Sequence, residues 1–379
     1  MDYLVVGAGL FGATFARKMA EAGRKCHVID KRSYIGGLCA TEKNEGIHIH
    51  VHGPHLFHTN DNEVWQFVNR FTEFNHYQHT VKAIYKDKIY SLPFNMMTYN
   101  QLWGCTSPDE AKRIIKKQRI AIKNPQNLEE WALSQLGTDI YQTLIYGYTK
   151  KAWNREPKEL PASILKRLPL RFTYDDNYFH DQYQGVPKWG YTQMVENILA
   201  HKNISIELET DFFSHKSHAK KTVFTGRIDQ LFDYEFGQLE YRTLKFIHQK
   251  TTNNFQGIGQ MNYTDAKVPQ IRIIEHKHFQ DNHPEHSIIT HEYPDKWDDD
   301  KEPYYPINTE KNTHTFQKYK DRLKKTPYII GGGRLFQHSY LDMEKTIRHA
   351  MDQVQNELGV YRKKAPLWAK PKVVPEITS

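Results

Sequence analysis

Apolar residues recur with different periods along this chain, and each change of period marks an element. Residues 3–7 run from Tyr3 through Leu4, Val5 and Val6 into Gly7, which reads as a short strand. A helical pattern covers residues 11–22 and stops at Gly23, and KCHVID at 25–30 is a second strand. Strand, crossover helix and strand at this spacing predict a parallel pair. IHIHVH at 47–52 alternates strictly and predicts another strand, followed by a helix from about 61 to 72. KAIYKDKIYSL at 82–92 predicts a hairpin turning at KDK. From about 97 to 166 apolar residues return every three or four positions, with Ser107 and Asn127 placed as helix caps. Strand patterns dominate again from about 203 to 330. TPYIIGGGR at 326–334 then repeats the strand-into-glycine pattern, ahead of a helix from about 342 to 358.

A late strand–glycine–helix segment that matches an early one places both ends of the chain in one α/β domain. The expected architecture is this α/β domain with a helical domain and a β-sheet domain inserted into it. The first takes 1–75, about 200–232 and 322–379. The helical domain takes about 97–190, and the sheet domain about 76–96 and 233–321.

Composition narrows the class. An aromatic content of 13% argues against disorder, which needs few large apolar groups. The net charge of +8 comes from 52 basic residues interspersed among 44 acidic ones, with no polybasic stripe, so nucleic acid is not an expected partner. No apolar run reaches the ~18 residues of a membrane span, and the start lacks the basic segment and cleavage site of a signal peptide. Cys26, Cys39 and Cys105 form no CxxC pair, which suits a reducing compartment. A cytoplasmic protein without membrane contact is the expectation.

The first motif with chemistry is Gly7, Gly9 and Gly12, a GxGxxG between strand and helix. Its glycines permit a tight turn, a close backbone approach to a pyrophosphate, and close helix–strand packing. The helix N-terminus then faces the pyrophosphate. Asp30 ends the second strand 18 residues after Gly12, where a carboxylate accepts ribose hydroxyls. Gly36 and Gly37 in KRSYIGG add a second close-approach loop, a pattern that fits FAD-binding oxidoreductases and amine-oxidase-like families better than NAD dehydrogenases. Leu10, Phe11 and Lys31 complete the candidate cofactor contacts in these loops. In GGGRLFQHSYLDM, Arg334 could neutralise phosphate, and the helix start at Asp342 and Met343 could face the flavin.

His48, His50 and His52 alternate along the 47–52 strand, with His55 and His58 following. Imidazoles at period two could converge on a transition metal. No cysteine or Glu-x-x-His partner lies nearby, so no metal is expected. A solvated strand face and a flavin- or substrate-facing role for His55 or His58 both stay open.

YGYTKKAW, ELPASILKRLPLRFTYDDNYFHDQYQGVPKWGYTQM, QIRIIEHKHF, EPYYPI and GGGRLFQHSYLDM, in this order, closely resemble the bacterial UDP-galactopyranose mutase family. The resemblance runs from residue 3 to about 355. It implies an α/β fold with a Rossmann-like FAD-binding domain, an inserted helical domain bearing a mobile substrate lid, an antiparallel β-sheet domain, and a homodimer. It also implies reversible ring contraction of UDP-galactopyranose to UDP-galactofuranose for cell-surface polysaccharide synthesis. The sugar's anomeric carbon would form a covalent adduct with N5 of reduced FAD, with no net redox change.

By matching motif positions, Arg167 and Arg272 look like the pair that holds the departing and returning pyrophosphate. Arginine suits that task because it offers paired donors to phosphate oxygens. The resemblance further implies phosphate contacts from Tyr178, Tyr305 and Tyr340, uracil stacking by Tyr148, and Trp153 beside the sugar on the lid. Asp342 would lie near the sugar and the phosphate tyrosines, and His55 next to the flavin. Four positions depart from the family pattern: Leu38, His79 where a sugar-contacting Asn is usual, and Leu144 and Ile145 where aromatics are usual. They leave open a related mutase on another nucleotide sugar, such as a 2-acetamido or 6-deoxy sugar. A flavin amine oxidase or desaturase would share the first 37 residues but would not need the two arginines. A non-catalytic binder of anionic polymer would leave the glycine motifs unexplained.

Overall fold

A computed structural model describes residues 1–165, 170–215, 219–281 and 284–360. Tyr3–Val6 pairs in parallel with Cys26–Ile29 on one side and Lys221–Phe224 on the other. Ile329–Gly331 and Ile204–Glu207 extend this sheet at its two edges, giving five strands, all parallel. The helix Leu10–Glu21 packs against the helices Gly190–Leu199 and Met343–Leu358. Phe15, Met19, Val28, Ile198, Ile347 and Met351 fill the space between them. The last helix buries Met343, Ile347, Ala350, Met351 and Val354, a single stripe at helical spacing. Residues of the first and last segments therefore lie in one core.

A second sheet has seven strands, in the order Tyr305–Pro306, Tyr241–Thr252, His286–Lys296, Arg272–Glu275, Gln260–Tyr263, Val81–Tyr85 and Lys88–Leu92. The sheet is antiparallel except at one junction, where Gln260–Tyr263 runs parallel to Val81–Tyr85. Those two strands are joined through other units rather than by a turn, so no hairpin dictates their direction.

The helical insertion consists of Met96–Trp103, Pro108–Gln118, Leu128–Gln135 and a continuous helix from Thr138 to Trp153, whose middle, Tyr141–Tyr146, is π-helical. Ser107 and Asn127 cap their helices through side-chain oxygens that accept from Glu110 N and Glu130 N. The unit has its own core, centred on Tyr99, Ile115, Leu128 and Tyr141. The following helix, Gly190–Leu199, lies on the five-stranded sheet's side and not in this core. Among the described residues no helix is long and apolar enough to cross a membrane.

Candidate active site

The strand Tyr3–Val6 delivers the chain to the first helix through Gly7 and Gly9. A Cβ on Gly12 would lie 2.0 Å from Gly7 O, so only glycine lets the helix start this close to the strand. Gly9 and Gly36 form a parallel bridge, and a Cβ on Gly37 would stand 3.1 Å from Gly9 Cα. The two glycine loops are thus interlocked. The first helix has no side-chain cap and no acid in its first turn, which leaves its N–H groups available to an anion. Asp30 is buried at the end of the second strand and accepts from Ala8 N at 2.8 Å and Arg32 N at 3.0 Å.

A cavity of about 1060 Å³ begins at this cradle. Its walls include Gly7, Gly9, Leu10, Phe11, Gly12, Asp30, Lys31, Gly36 and Gly37 at one end, and Arg334, Asp342 and Met343 from the C-terminal segment. The same cavity reaches His55, His79, Arg272, Tyr178, Tyr305 and Tyr340. Sequence positions far apart are therefore brought to one continuous space.

Arg272 starts a central strand of the seven-stranded sheet. Its Nε donates to Oε2 of Glu292 on the adjacent strand, and Glu292 is fully buried. Burial opposes the charge of Arg272, but Glu292 outweighs it and holds the guanidinium protonated. The Nη atoms make no hydrogen bond among the described residues, so both remain to meet a ligand in the cavity. Arg334 donates from Nη2 to Tyr304 O at 2.6 Å. Its guanidinium sits 4.8 Å from the ring centre of Tyr340 and 5.6 Å from that of Tyr305. Tyr305 and Tyr340 are stacked at 6.2 Å. Asp342 caps the last helix, accepting from Lys345 N at 3.0 Å.

His55 is pushed down to about 3 by burial, and the carbonyl of Gly53 only partly offsets this. Its Nδ1 lies 2.9 Å from Gly53 O, so the neutral ring carries its proton there and leaves Nε2 as an acceptor. His79 is likewise pushed down to about 3 by burial, with Arg272 adding to the effect. The expected histidine strand face does not form, because the strand Ile47–His50 ends before His52. His50 is buried against Tyr191, His276 and Phe279, and its Nδ1 accepts from His55 N at 3.0 Å. His52 bridges the hydroxyls of Tyr304 and Tyr34, at 2.6 and 2.8 Å. Each ring has its own partners, and among the described residues no group of three or more His, Cys, Asp or Glu is placed to hold a metal ion.

Two expected residues do not line the cavity. Tyr148, with Leu38 and Tyr305, packs against the buried cluster of Leu244, Ile271 and Tyr304, and burial raises its hydroxyl to about 12. Trp153 packs against the core of the helical unit. Leu144 and Ile145 are buried in that same core, so these two departures do not reach the cavity. Arg167 lies outside the described residues.

Sequence reasoning missed Glu292, a buried acid in the middle of the strand His286–Lys296. It also missed Arg32, which pairs with Glu302 at 2.7 Å, although Arg32 stands two residues after Asp30. A third omission is the pairing of His58 with Asp181. The His58 ring stacks on Phe179 at 3.7 Å, and Phe179 in turn on His79 at 5.8 Å.

A family model described as UDP-galactopyranose mutase matches residues 143–340, and one described as an NAD(P)-binding Rossmann-like domain matches residues 5–71. The chain is 42% identical to the dTDP-fucopyranose mutase of Escherichia coli, covering 93% of this chain and 97% of that one. It is also 42% identical to the Klebsiella pneumoniae protein named "Probable UDP-galactopyranose mutase", covering 92% and 93%. Among solved structures, that of reduced UDP-galactopyranose mutase matches with a TM-score of 0.75 at 14% identity, covering 95% and 94%. A putrescine oxidase matches at 0.57 and 12% identity, covering 94% and 99%. At these identities the solved structures bear on the scaffold, which mutase and amine oxidase share. The family model, spanning more than half the chain, and the two relatives aligned over nearly their full length place the cavity in a mutase: this chain belongs to the UDP-galactopyranose mutase family.

Proposed function

We propose that this chain holds FAD in the glycine cradle and interconverts UDP-galactopyranose and UDP-galactofuranose at the far end of the same cavity. One observation carries the reading: the cradle is continuous with Arg272 and the tyrosines Tyr178, Tyr305 and Tyr340. A volume of about 1060 Å³ is at the upper limit for a single small ligand, so a cofactor and a nucleotide sugar can lie end to end.

The cradle fits a dinucleotide by its own geometry. Interlocked glycines admit the pyrophosphate, the uncapped helix start supplies N–H groups, and Asp30 stands at the ribose position. Reduced FAD, when bound, supplies a nucleophilic nitrogen for the anomeric carbon of the sugar. Arg272 offers its Nη atoms to the leaving diphosphate and keeps it near enough to return. Tyr178, Tyr305 and Tyr340 add phenolic donors without adding charge. Arg167 is proposed as the second phosphate arginine, and Tyr148 and Trp153 reach the nucleotide only if the helical unit shifts. Neutral His55 presents an acceptor at Nε2 beside the cofactor, and Asp342 and Met343 bring the start of the last helix to it.

Three free cysteines suit a reducing cytoplasm, and the family resemblance supports a homodimer. A thymidine-linked 6-deoxy sugar is the second reading. The E. coli dTDP-fucopyranose mutase is as similar as the Klebsiella protein, and His79 engages the Tyr77 hydroxyl at 3.2 Å while stacking on Phe179. Comparing kcat/KM for UDP-galactofuranose and dTDP-fucofuranose on the reduced protein decides between them. A tenfold or greater preference for the thymidine substrate would replace the first reading with the second.

A further inference from the structure

A second cleft, about 270 Å³, lies outside the main cavity, lined by Lys151, Asn154, Arg242, Pro294, Asp295 and Lys296, among others. The helix Gly147–Trp153 meets the seven-stranded sheet here. Three of these side chains are cationic and one is a carboxylate. Asp295 is also shared, since Lys301 sits 3.1 Å from it.

Arg242 is only 8% exposed, and its Nε has no hydrogen-bond partner. Among the described residues its guanidinium makes no ion pair within bonding distance. A buried guanidinium left in this state is unfavourable, because its desolvation is not offset by a hydrogen-bonded partner. Lys296 stands directly opposite Arg242 in the sheet register. Like charges at opposed positions repel, and a folded sheet normally avoids them.

Lys151 adds charge without donors. Its ammonium already donates to the carbonyls of Tyr263, Val268 and Gln270, at 2.7, 2.9 and 2.9 Å. Those three bonds use all its protons. The donors of Arg242 are thus what an incoming group would meet, in a field made positive by Lys151 and Lys296.

We propose that this cleft is an anion site for a phosphate-class oxyanion, separate from the nucleotide-sugar cavity, with Arg242 as its principal donor. Its volume is below the range of drug-sized pockets, which suits inorganic phosphate or a single phosphoryl group and excludes a whole nucleotide sugar. An anion there satisfies the guanidinium and relieves the Arg242–Lys296 repulsion. It also braces the segment from Tyr263 to Gln270, which Lys151 ties to the helix bearing Tyr148 and which leads into Arg272.

The test is thermal unfolding of the flavin-loaded full chain against inorganic phosphate, at constant ionic strength, with UDP saturating the main cavity. A bound anion raises the midpoint along a saturating curve. Arg242→Gln should abolish the rise, and Lys296→Ala should weaken the apparent affinity severalfold. Asp295→Asn, which removes the opposing carboxylate, should tighten it by roughly threefold or more. A non-saturating rise, or an equal rise in Arg242→Gln, overturns the proposal. If Arg242→Gln does not fold, the other two variants decide: unchanged affinity in both overturns it.

Discussion

Arg272 and Glu292 face each other across neighbouring strands of the seven-stranded sheet, joined by a hydrogen bond from Nε to Oε2. The pairing orients the guanidinium, with Nε turned to the sheet and the Nη atoms left for the cavity.

Arg272→Lys keeps a charge but loses the planar fork. It should lower kcat/KM by a hundredfold or more, about 2.7 kcal/mol of transition-state stabilisation. Steady-state kinetics on the reduced protein measures it. Because Glu292 orients the arginine and sustains its charge, and a shorter carboxylate keeps the charge but loosens the contact, Glu292→Asp should fall between wild type and Arg272→Lys. A Glu292→Asp enzyme with wild-type kinetics would remove the orienting role.

Gly12→Ala should yield protein without flavin. Its Cβ would stand 2.0 Å from Gly7 O, which no side-chain rotation relieves. Visible absorbance of the purified variant reads this directly, and full flavin occupancy would refute the cradle.

Burial holds His52 at about 4, and His55, His79 and His276 at about 3. In the unfolded chain each titrates near 6.5. The unfolded state therefore binds more protons below that value, so this stability is complete above pH 6.5 and is lost as pH falls toward 3 to 4. Each ring contributes a slope of up to about 1.4 kcal/mol per pH unit. Urea midpoints should drop steeply from pH 7 to pH 5, and His79→Gln should flatten the curve. An unchanged slope in His79→Gln would contradict the buried neutral state. The same shift means that His55 gives no ionisation to the activity profile above pH 5.

Local chemistry was readable from the chain. Gly12 and Asp30 act within one strand–helix–strand unit, and the caps Ser107, Asn127 and Asp342 accept from an amide three residues on. Contacts between distant segments were not. Asp181 reaches His58 across 123 positions, and Glu292 meets Arg272 only because their strands are neighbours. Helical spacing marked Leu144, Ile145 and Trp153 as facing an apolar partner without saying which. The structure packs all three in or against the core of the helical unit, whereas the resemblance implies Trp153 beside the sugar. The parallel junction between Val81–Tyr85 and Gln260–Tyr263 was hidden for the same reason, since alternation carries no strand direction.

The most direct measurement is turnover of UDP-galactofuranose by dithionite-reduced protein, with no other electron acceptor, followed by chromatography. The account predicts UDP-galactopyranose in many-fold excess over protein, with the flavin still reduced at the end and the oxidised protein inactive. Product formed only one per flavin, with the flavin oxidised in step, would contradict it and return this chain to the oxidoreductases whose scaffold it shares.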